Sequence, residues 1–225
     1  SRGLGDVYKR QDTDSPIIAV AWDEAFCFYY EDNLRLLEEQ GARLRYFSPL
    51  HDSRLPEGCD GILLGGGYPE LHLQELEQNG SMRNEIRTAM EQDIPCVAEC
   101  GGFMYLHESM TDEEGENWPM AGIITGSCHN RGKLVRFGYV NVTEQTSHFL
   151  AGKPVRAHEF HYYDSDNNGE SCVAVKPVSG TSWTCIHEDD RNWWGYPHLY
   201  YPSNPAFVEH FVQAARLYHR ERNAK

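Results

Sequence analysis

Short apolar runs alternate with amphipathic stretches through the first half of the chain. Four runs have the length of strands: residues 17–21, 44–47, 61–64 and 94–98. The first run is apolar throughout, which is typical of a strand buried on both faces. Helices are predicted over residues 30–40, 81–92 and 101–108, with Ser81 as the N-cap of the second. This alternation predicts an α/β fold with a mostly parallel central sheet covered on both sides.

The second half of the chain has a different pattern. From about Gly122 onward, four segments are rich in β-forming residues: 135–142, 155–163, 172–177 and 181–186. They predict antiparallel strands added to the sheet in the C-terminal half. Residues 204–222 close the chain as an amphipathic helix. Because no repeat or low-complexity stretch interrupts residues 16–225, we expect one domain there, preceded by a disordered tail or linker over residues 1–15.

The composition excludes several classes of partner. A formal net charge of −14 on 225 residues disfavours binding to nucleic acid or to an anionic membrane surface. No run approaches the ~18 apolar residues of a membrane span, and we expect no signal peptide. Seven cysteines without a Cys-x-x-Cys pair do not form a disulfide framework, which favours a cytoplasmic protein. No motif has the spacing of metal ligands, so no metal site is predicted.

Cys100 stands where a predicted strand runs directly into a predicted helix. The sequence Glu99-Cys100-Gly101-Gly102 is typical of a nucleophile elbow, in which a sharp turn raises the side chain above the sheet edge. A helix N-terminus favours a thiolate, and the N–H of Gly101 is a candidate oxyanion donor. The motif alone leaves open a second interpretation, a buried structural cysteine.

A run of three glycines, residues 65–67, follows another apolar strand. A Walker loop needs Lys and then Ser or Thr after its last glycine, but Tyr68 and Pro69 occupy those places. A dinucleotide fingerprint needs a glycine where Glu70 stands. Both nucleotide-binding loops are therefore excluded. Close backbone approach to a ligand and a simple tight turn remain as alternatives.

A thiol nucleophile needs a base, and eleven histidines are candidates. His158 and His161 lie in a His-Glu-Phe-His sequence, which is not the helical zinc motif because only two residues separate the histidines. On a strand, residues three apart point to opposite faces, so shared metal ligation is disfavoured. His198 lies near the end of the β-rich part, and its position alone makes it one candidate among several.

Seven short motifs follow one another between residues 17 and 212: AVAWDEAFCFYYEDNL (19–34), FSPL (47–50), LGGGYPE (64–70), AECGG (98–102), RFGYV (136–140), HEFHY (158–162) and SNP (203–205). In this order they resemble the glutamine amidotransferase domains of the cobyrinate a,c-diamide synthase family. The resemblance implies a class I, or triad-type, glutaminase on a flavodoxin-like fold.

The resemblance also implies a nucleophile and a base. Cys100 matches the nucleophile that attacks the side-chain amide of L-glutamine, and His198 matches the histidine that activates the thiol and protonates the departing ammonia. Many triad glutaminases carry an acid two residues after that histidine, where this chain has Tyr200. Another group is therefore expected to orient His198. Trp22 stands where the family usually has arginine.

The remaining implied site residues belong to the pocket. Gly66, Gly67 and Gly101 match the backbone around the oxyanion. The strand with His158 and His161 is expected near the active-site rim, where it would shape the glutamine pocket or a domain interface.

The full synthase of this family also has an ATP-binding synthetase domain, with ATP and Mg as its cofactors, which we expect to be absent from this chain. The implied partners are L-glutamine, that synthetase domain or subunit and, through it, a tetrapyrrole acceptor in cobalamin biosynthesis. Two alternatives remain open. The same chemistry could serve another acceptor, such as a nickel-sirohydrochlorin or a cell-wall lipid intermediate, or the chain could be a non-catalytic glutaminase-like binding module.

Overall fold

The apolar runs of the first half form the centre of a six-stranded sheet in the computed structural model, which describes residues 14–225. The strands are β1 Ile17–Ala21, β2 Phe26–Phe28, β3 Arg43–Phe47, β4 Gly61–Leu64, β5 Gly66–Gly67, β6 Cys96–Glu99, β7 His107–Thr111, β8 Asn117–Pro119, β9 Ile124–Asn130, β10 Arg136–Glu144, β11 Val155–His161, β12 Tyr163–Ser165, β13 Cys172–Val175, β14 Ser182–Cys185, β15 His187–Glu188, β16 Asn192–Gly195 and β17 His198–Tyr200. The helices are α1 Glu31–Glu39, α2 Leu73–Gln78, α3 Gly80–Glu91, α4 Gly101–Tyr105 and α5 Ala206–Asn223.

The predicted tail, residues 1–15, lies outside the described residues except for Asp14 and Ser15. The carboxylate of Asp14 pairs with Arg220 of α5 at 3.4 Å. Among the helices of the described part, none is both long and apolar enough to cross a bilayer.

The central sheet has the order β15-β16-β6-β4-β1-β3, and all of its pairs are parallel except β15 with β16. Alternate residues of β1 enter different cores, since Ala19 packs on one face and Val20 on the other. Helices α3 and α4 cover the first face, and α1 and α5 cover the second. The predicted α/β class with a mostly parallel sheet is therefore confirmed.

The β-rich second half contributes little to the central sheet. Strand β16 joins it in parallel beside β6, and β15 joins it as an antiparallel edge strand. The other strands build a five-stranded antiparallel sheet, β14-β13-β10-β11-β17, and a four-stranded sheet, β12-β9-β7-β8. The five-stranded sheet packs its apolar face on the core shared with α5, which brings β17 beside the carboxyl ends of the parallel strands.

Two of the differences between predicted and observed helix ends have a clear local cause. Helix α3 begins one residue earlier than predicted, and Asn79, not Ser81, is its N-cap, because the Asn79 side chain accepts the N–H of Met82 at 3.3 Å. Helix α4 ends at Tyr105 instead of residue 108. His107 begins β7, and its ring nitrogen Nδ1 bonds to the carbonyl of Phe103 at 2.8 Å, in place of a further helical N–H.

A pair of carboxyl groups fixes the edge of the sheet. The Glu144 carboxylate accepts the backbone N–H groups of Phe149 and Leu150 at 2.7 and 2.8 Å. The carboxyl group of Glu188 on β15 lies next to it. Burial and the neighbouring Glu144 carboxylate raise the pKa of Glu188 to about 10, so Glu188 is protonated at neutral pH.

Candidate active site

Cys100 occupies a strained turn at the carboxyl end of β6. Its backbone has φ 48° and ψ −103°, in the left-handed region that a non-glycine residue rarely adopts. The turn is held from both sides, because the N–H of Cys100 donates to Gly195 O and its carbonyl accepts the N–H of Met104, each at 2.9 Å. The surrounding contacts therefore fix the thiol above the sheet edge, as predicted for a nucleophile elbow.

The glycines beside Cys100 allow the elbow to pack against the loop after β4. The N–H of Gly102 donates to Gly65 O at 2.9 Å, and a Cβ on Gly102 would overlap the carbonyl of Leu64. A Cβ on Gly101 would lie 3.2 Å from the backbone nitrogen of Gly67. The backbones of Gly67 and Gly101, both predicted to surround the oxyanion, are thus close neighbours.

The resting side chain of Cys100 is a neutral thiol. Burial raises its pKa well above the ordinary value, and the charges of Glu70 and Glu159 act in the same direction. The backbone N–H of Gly101 bonds to the sulfur and lowers the pKa, but by less. The start of α4 therefore lowers the pKa of Cys100, as predicted, but burial raises it by more. A small effect is in keeping with the five-residue length of α4.

His198 lies at the start of β17, directly opposite His158 of β11. Its ring is buried and stacks edge-on against Phe28, with ring centroids 4.8 Å apart. Burial lowers the pKa of His198 to about 3, and the neighbouring His158 and His161 act in the same direction. The imidazole is therefore neutral across the physiological range and free to accept a proton.

Cys100 and His198 border the same cavity, which has a volume of about 210 Å³. Its other lining residues are Phe28, Gly67, Tyr68, His158 and Phe160. The cavity has room for a small substrate and presents the neutral thiol of Cys100, the neutral imidazole of His198, a second histidine, and aromatic rings. This arrangement suits nucleophilic attack in which the proton moves to His198 as the new bond forms.

Gly66 provides the surface on which His198 rests. A Cβ at this position would lie 3.0 Å from Nδ1 of His198 and closer still to Cε1. The absence of a side chain at Gly66 thus lets the imidazole approach the backbone of β5. The structure thus gives Gly66 a steric role, making room for His198, that differs from the oxyanion-hole role predicted for it.

We expect Gly66→Ala to slow the chemistry at Cys100 and leave the fold intact. The added methyl group displaces the His198 ring, and a misplacement of about 1 Å costs on the order of 10²-fold in rate. The measurement is the rate of alkylation of Cys100 by iodoacetamide, with thermal unfolding as a check of stability. Gly80→Ala is the control, since its Cβ would meet only Arg83 at 3.5 Å. Equal alkylation rates in the two variants would contradict the proposal that Gly66 makes room for the His198 ring.

The two histidines of β11 point to opposite faces of the strand, as predicted. His158 borders the Cys100 cavity, whereas the His161 ring is buried behind it and stacks on Tyr196 at 3.7 Å. His161 Nδ1 faces the carbonyl of Tyr163 at 2.7 Å and therefore carries a hydrogen, while Nε2 faces Glu159 Oε1 at 3.2 Å. His158 is thus available to a ligand, and His161 acts on the site only through its neighbours.

The two departures from the family pattern have structural partners elsewhere. The hydroxyl of Tyr200 donates to Asp32 at 3.1 Å, and the Tyr200 ring packs on Tyr30. Trp22 stacks on Tyr29, whose hydroxyl donates to Ala21 O and accepts the N–H of Gly65. Tyr200 therefore does not take over the function of an orienting acid.

A larger cavity of about 560 Å³ adjoins the first on the face of the five-stranded sheet. His158 and His198 border both cavities. Three tyrosines and Arg156 dominate the rest of its lining, the tyrosines being Tyr30, Tyr139 and Tyr200. Within residues 14–225, no group of three or more His, Cys, Asp or Glu side chains is arranged to hold a metal ion.

Several residues at the site were not predicted. Phe28 and Tyr68 line the cavity, and Asn33 and Glu99 are buried behind His198. Glu99 carries a signal that sequence reasoning could have used, since a charged residue ends an otherwise apolar strand. Phe28 and Tyr68 carry no such signal, because exposed aromatic residues are common on protein surfaces.

Comparisons with known proteins place this geometry in context. The CobB/CobQ-like glutamine amidotransferase domain matches residues 17–205. The cobyrinate a,c-diamide synthase of Fusobacterium nucleatum is 42% identical over 197 residues, covering 86% of this chain and 43% of that protein. The enzyme of the same name from Salmonella typhimurium is 40% identical over 205 residues, covering 88% of this chain and 44% of that protein. The chain thus spans less than half the length of these curated relatives.

Solved structures with much lower identity share the fold. A crystal structure of a glutamine amidotransferase superposes with a TM-score of 0.62 at 14% identity, covering 88% of this chain and 98% of the other. A glutamine amidotransferase from Thermotoga maritima superposes with a TM-score of 0.56 at 12% identity, covering 94% of this chain and 86% of the other. These similarities confirm the predicted class I glutamine amidotransferase fold.

Proposed function

The chain belongs to the CobB/CobQ-like glutamine amidotransferase family, and on that premise we propose that it hydrolyses L-glutamine to glutamate and ammonia through Cys100 and His198. The observation that carries the proposal is the shared cavity, which a thiol on a strained turn and a buried neutral imidazole both border. A non-catalytic binding module would need neither the backbone strain at Cys100 nor a glycine at position 66 to make room for the His198 ring.

The reaction follows from the neutral state of both groups. As the sulfur of Cys100 attacks the side-chain amide carbon of glutamine, its proton passes to His198. His198 then returns the proton to the amide nitrogen, the carbon–nitrogen bond breaks, and ammonia leaves a glutamyl thioester on Cys100. Water hydrolyses the thioester with His198 again as the base, which releases glutamate and restores the thiol.

The oxyanion that forms on the amide oxygen needs hydrogen-bond donors. We assign this role to the backbone around Gly67, which lines the cavity, and Gly101, which lies beside Gly67. His158 borders the same cavity and is a candidate contact for the glutamine substrate. Burial in an enclosed site strengthens each of these interactions, because water is excluded when the substrate fills the cavity.

The ammonia is proposed to serve ATP-dependent a,c-diamidation of cobyrinate in cobalamin biosynthesis. Support comes from the name that the relatives carry, at 35–43% identity over most of this chain. ATP and Mg would be bound by a synthetase domain or subunit that corresponds to the rest of the relatives' length. That partner, offered cobyrinate, a nickel-sirohydrochlorin and a cell-wall lipid intermediate in turn, would identify the acceptor by the amide formed.

A glutamine-mimicking electrophile tests the proposed chemistry directly. We expect diazo-oxo-norleucine to label Cys100 alone among the seven cysteines, and glutamine to protect it. Peptide mass mapping locates the label, and an enzymatic assay follows glutamate release by the same sample. Label on another cysteine, or no label together with no glutamate, would overturn the assignment and favour a binding module.

A further inference from the structure

The base of the proposed reaction lacks the acid that many triad glutaminases carry two residues further on. Tyr200 occupies that position and bonds to Asp32, away from the imidazole. An imidazole that gains a proton in a buried site needs a negative charge or a dipole nearby. The structure offers a buried carboxyl group behind His198 that the mechanism has not used, Glu99.

Glu99 contacts two residues of the segment that follows the base. Its side chain is only 6% exposed, and its Oε1 accepts the hydroxyl of Tyr201 at 3.0 Å. The backbone N–H of Leu199 also donates toward the carboxyl group. Glu99 thus contacts the chain one and three residues after His198, while it directly precedes Cys100.

Asn33 of α1 holds the same stretch of backbone. Its Nδ2 donates to Leu199 O at 2.8 Å, and its Oδ1 accepts the N–H of Tyr201 at 2.9 Å. The position of the strand is therefore secured without a charge. Asn33 bonds this backbone at atoms that Glu99 does not contact, which leaves an electrostatic role to explain why a carboxyl group is buried here.

Glu99 and His198 border one small cavity of about 10 Å³. A volume of roughly 10–15 Å³ is what a single water molecule needs. Both residues line this space, so the carboxyl group can act on the imidazole across about the width of one water molecule. Such a gap keeps the interaction electrostatic while the ring remains free to face Cys100.

We infer that Glu99 is the positioning residue for His198, supplying from the residue before the nucleophile the negative charge that a triad acid supplies elsewhere. This inference rests on the proposed function. In its ionised form Glu99 stabilises the imidazolium that exists only while the proton is on His198. Its effect should therefore appear in kcat and leave the binding of glutamine unchanged.

The charge of Glu99 depends on pH within a measurable range. Burial raises the pKa of Glu99 to about 8, against the opposing hydrogen bonds from Tyr201 and Leu199. The other titratable groups that face it do not ionise there. Burial raises the pKa values of Tyr29, Tyr30, Tyr201 and Cys100, and lowers that of His198 to about 3. The Glu99 carboxyl is protonated below about pH 8 and ionised above it, so the stabilisation appears as pH rises.

Glu99→Gln tests this inference because it keeps an acceptor for Tyr201 and removes the charge. In the wild type, kcat for glutamate release should rise as pH increases through about 8, and in the variant this rise should be absent. At about pH 8.5 we expect kcat to be at least about tenfold lower in the variant, with KM changed by less than about twofold. Glu99→Asp, which retains a carboxylate, should recover part of the rise.

Glu188→Gln is the matched control, since it also removes a carboxyl group with a raised pKa, here a partly buried one. It lies on β15, away from the cavity, and should keep the wild-type pH profile. A rise through pH ~8 that persists in Glu99→Gln would overturn the inference and leave the proposed glutaminase intact. If the wild type releases no glutamate, the proposed function fails instead. The pH dependence of Cys100 alkylation by iodoacetamide, compared in wild type and Glu99→Gln, then still decides the role of Glu99.

Discussion

Cys100→Ser is expected to abolish glutamate release. A serine hydroxyl has a much higher pKa than a thiol, and the neutral His198 beside it is too weak a base to compensate. The backbone at this position remains strained in either case, so the variant retains the elbow and loses only the nucleophile. We expect a loss of about 10³-fold or more, measured as glutamate formed by the purified chain at saturating glutamine.

Cys27→Ser is the matched control for this change. Cys27 is the one exposed cysteine in the described part of the chain, and it lies on β2. The variant should release glutamate at the wild-type rate, and a glutamate assay of the two proteins side by side is sufficient. Residual activity in Cys100→Ser close to that of Cys27→Ser would contradict the assignment of the nucleophile.

Local sequence patterns were sufficient to predict the parallel core and the elbow. The apolar run of β1 and the glycines after Cys100 act over only a few residues, so their structural consequences are local. The family resemblance was likewise carried by short motifs, and it is confirmed across residues 17–205. The fold class followed from the same alternation of strands and helices.

The sheets of the second half were harder to predict because their pairings are non-local. Strand β6 pairs with β16, nearly a hundred residues later, and β11 pairs with β17. Nothing within either segment indicates its partner. The first two residues of β7 were predicted to end a helix. That prediction is wrong because the pairing of β7 with β9 overrides the local helical pattern.

The surroundings of His198 show the same limit at the site. Among eleven histidines, position alone did not single out His198, and only the family resemblance did. The contact of Gly66 with His198 and that of Glu99 with Tyr201 each join segments more than ninety residues apart. Such contacts have no local signature, although a glutamate at the end of an apolar strand was a usable hint.

His198→Asn should have the second large effect. Asparagine retains a polar side chain of similar reach but cannot accept the thiol proton, so both thioester formation and thioester hydrolysis lose their base. We expect kcat/KM for glutamate release to fall by about 10² to 10⁴-fold. His129→Asn is the control, because His129 lies on β9 and its ring bonds to Asp166. A His198 variant that reacts with diazo-oxo-norleucine at the wild-type rate would contradict this role.

The wild-type pH profile provides an independent check on His198. A base with an ordinary histidine pKa near ~6.5 would lose about threefold in kcat/KM between about pH 7 and pH 6, as the ring becomes protonated. Because burial lowers the pKa of His198 to about 3, its ring stays neutral throughout that interval. We therefore expect kcat/KM for glutamate release to fall by less than about twofold from about pH 7 to pH 6, this small change being the lower end of the Glu99-dependent rise. A decline centred near pH ~6.5 would mean that the base is more accessible to water than the buried ring of His198.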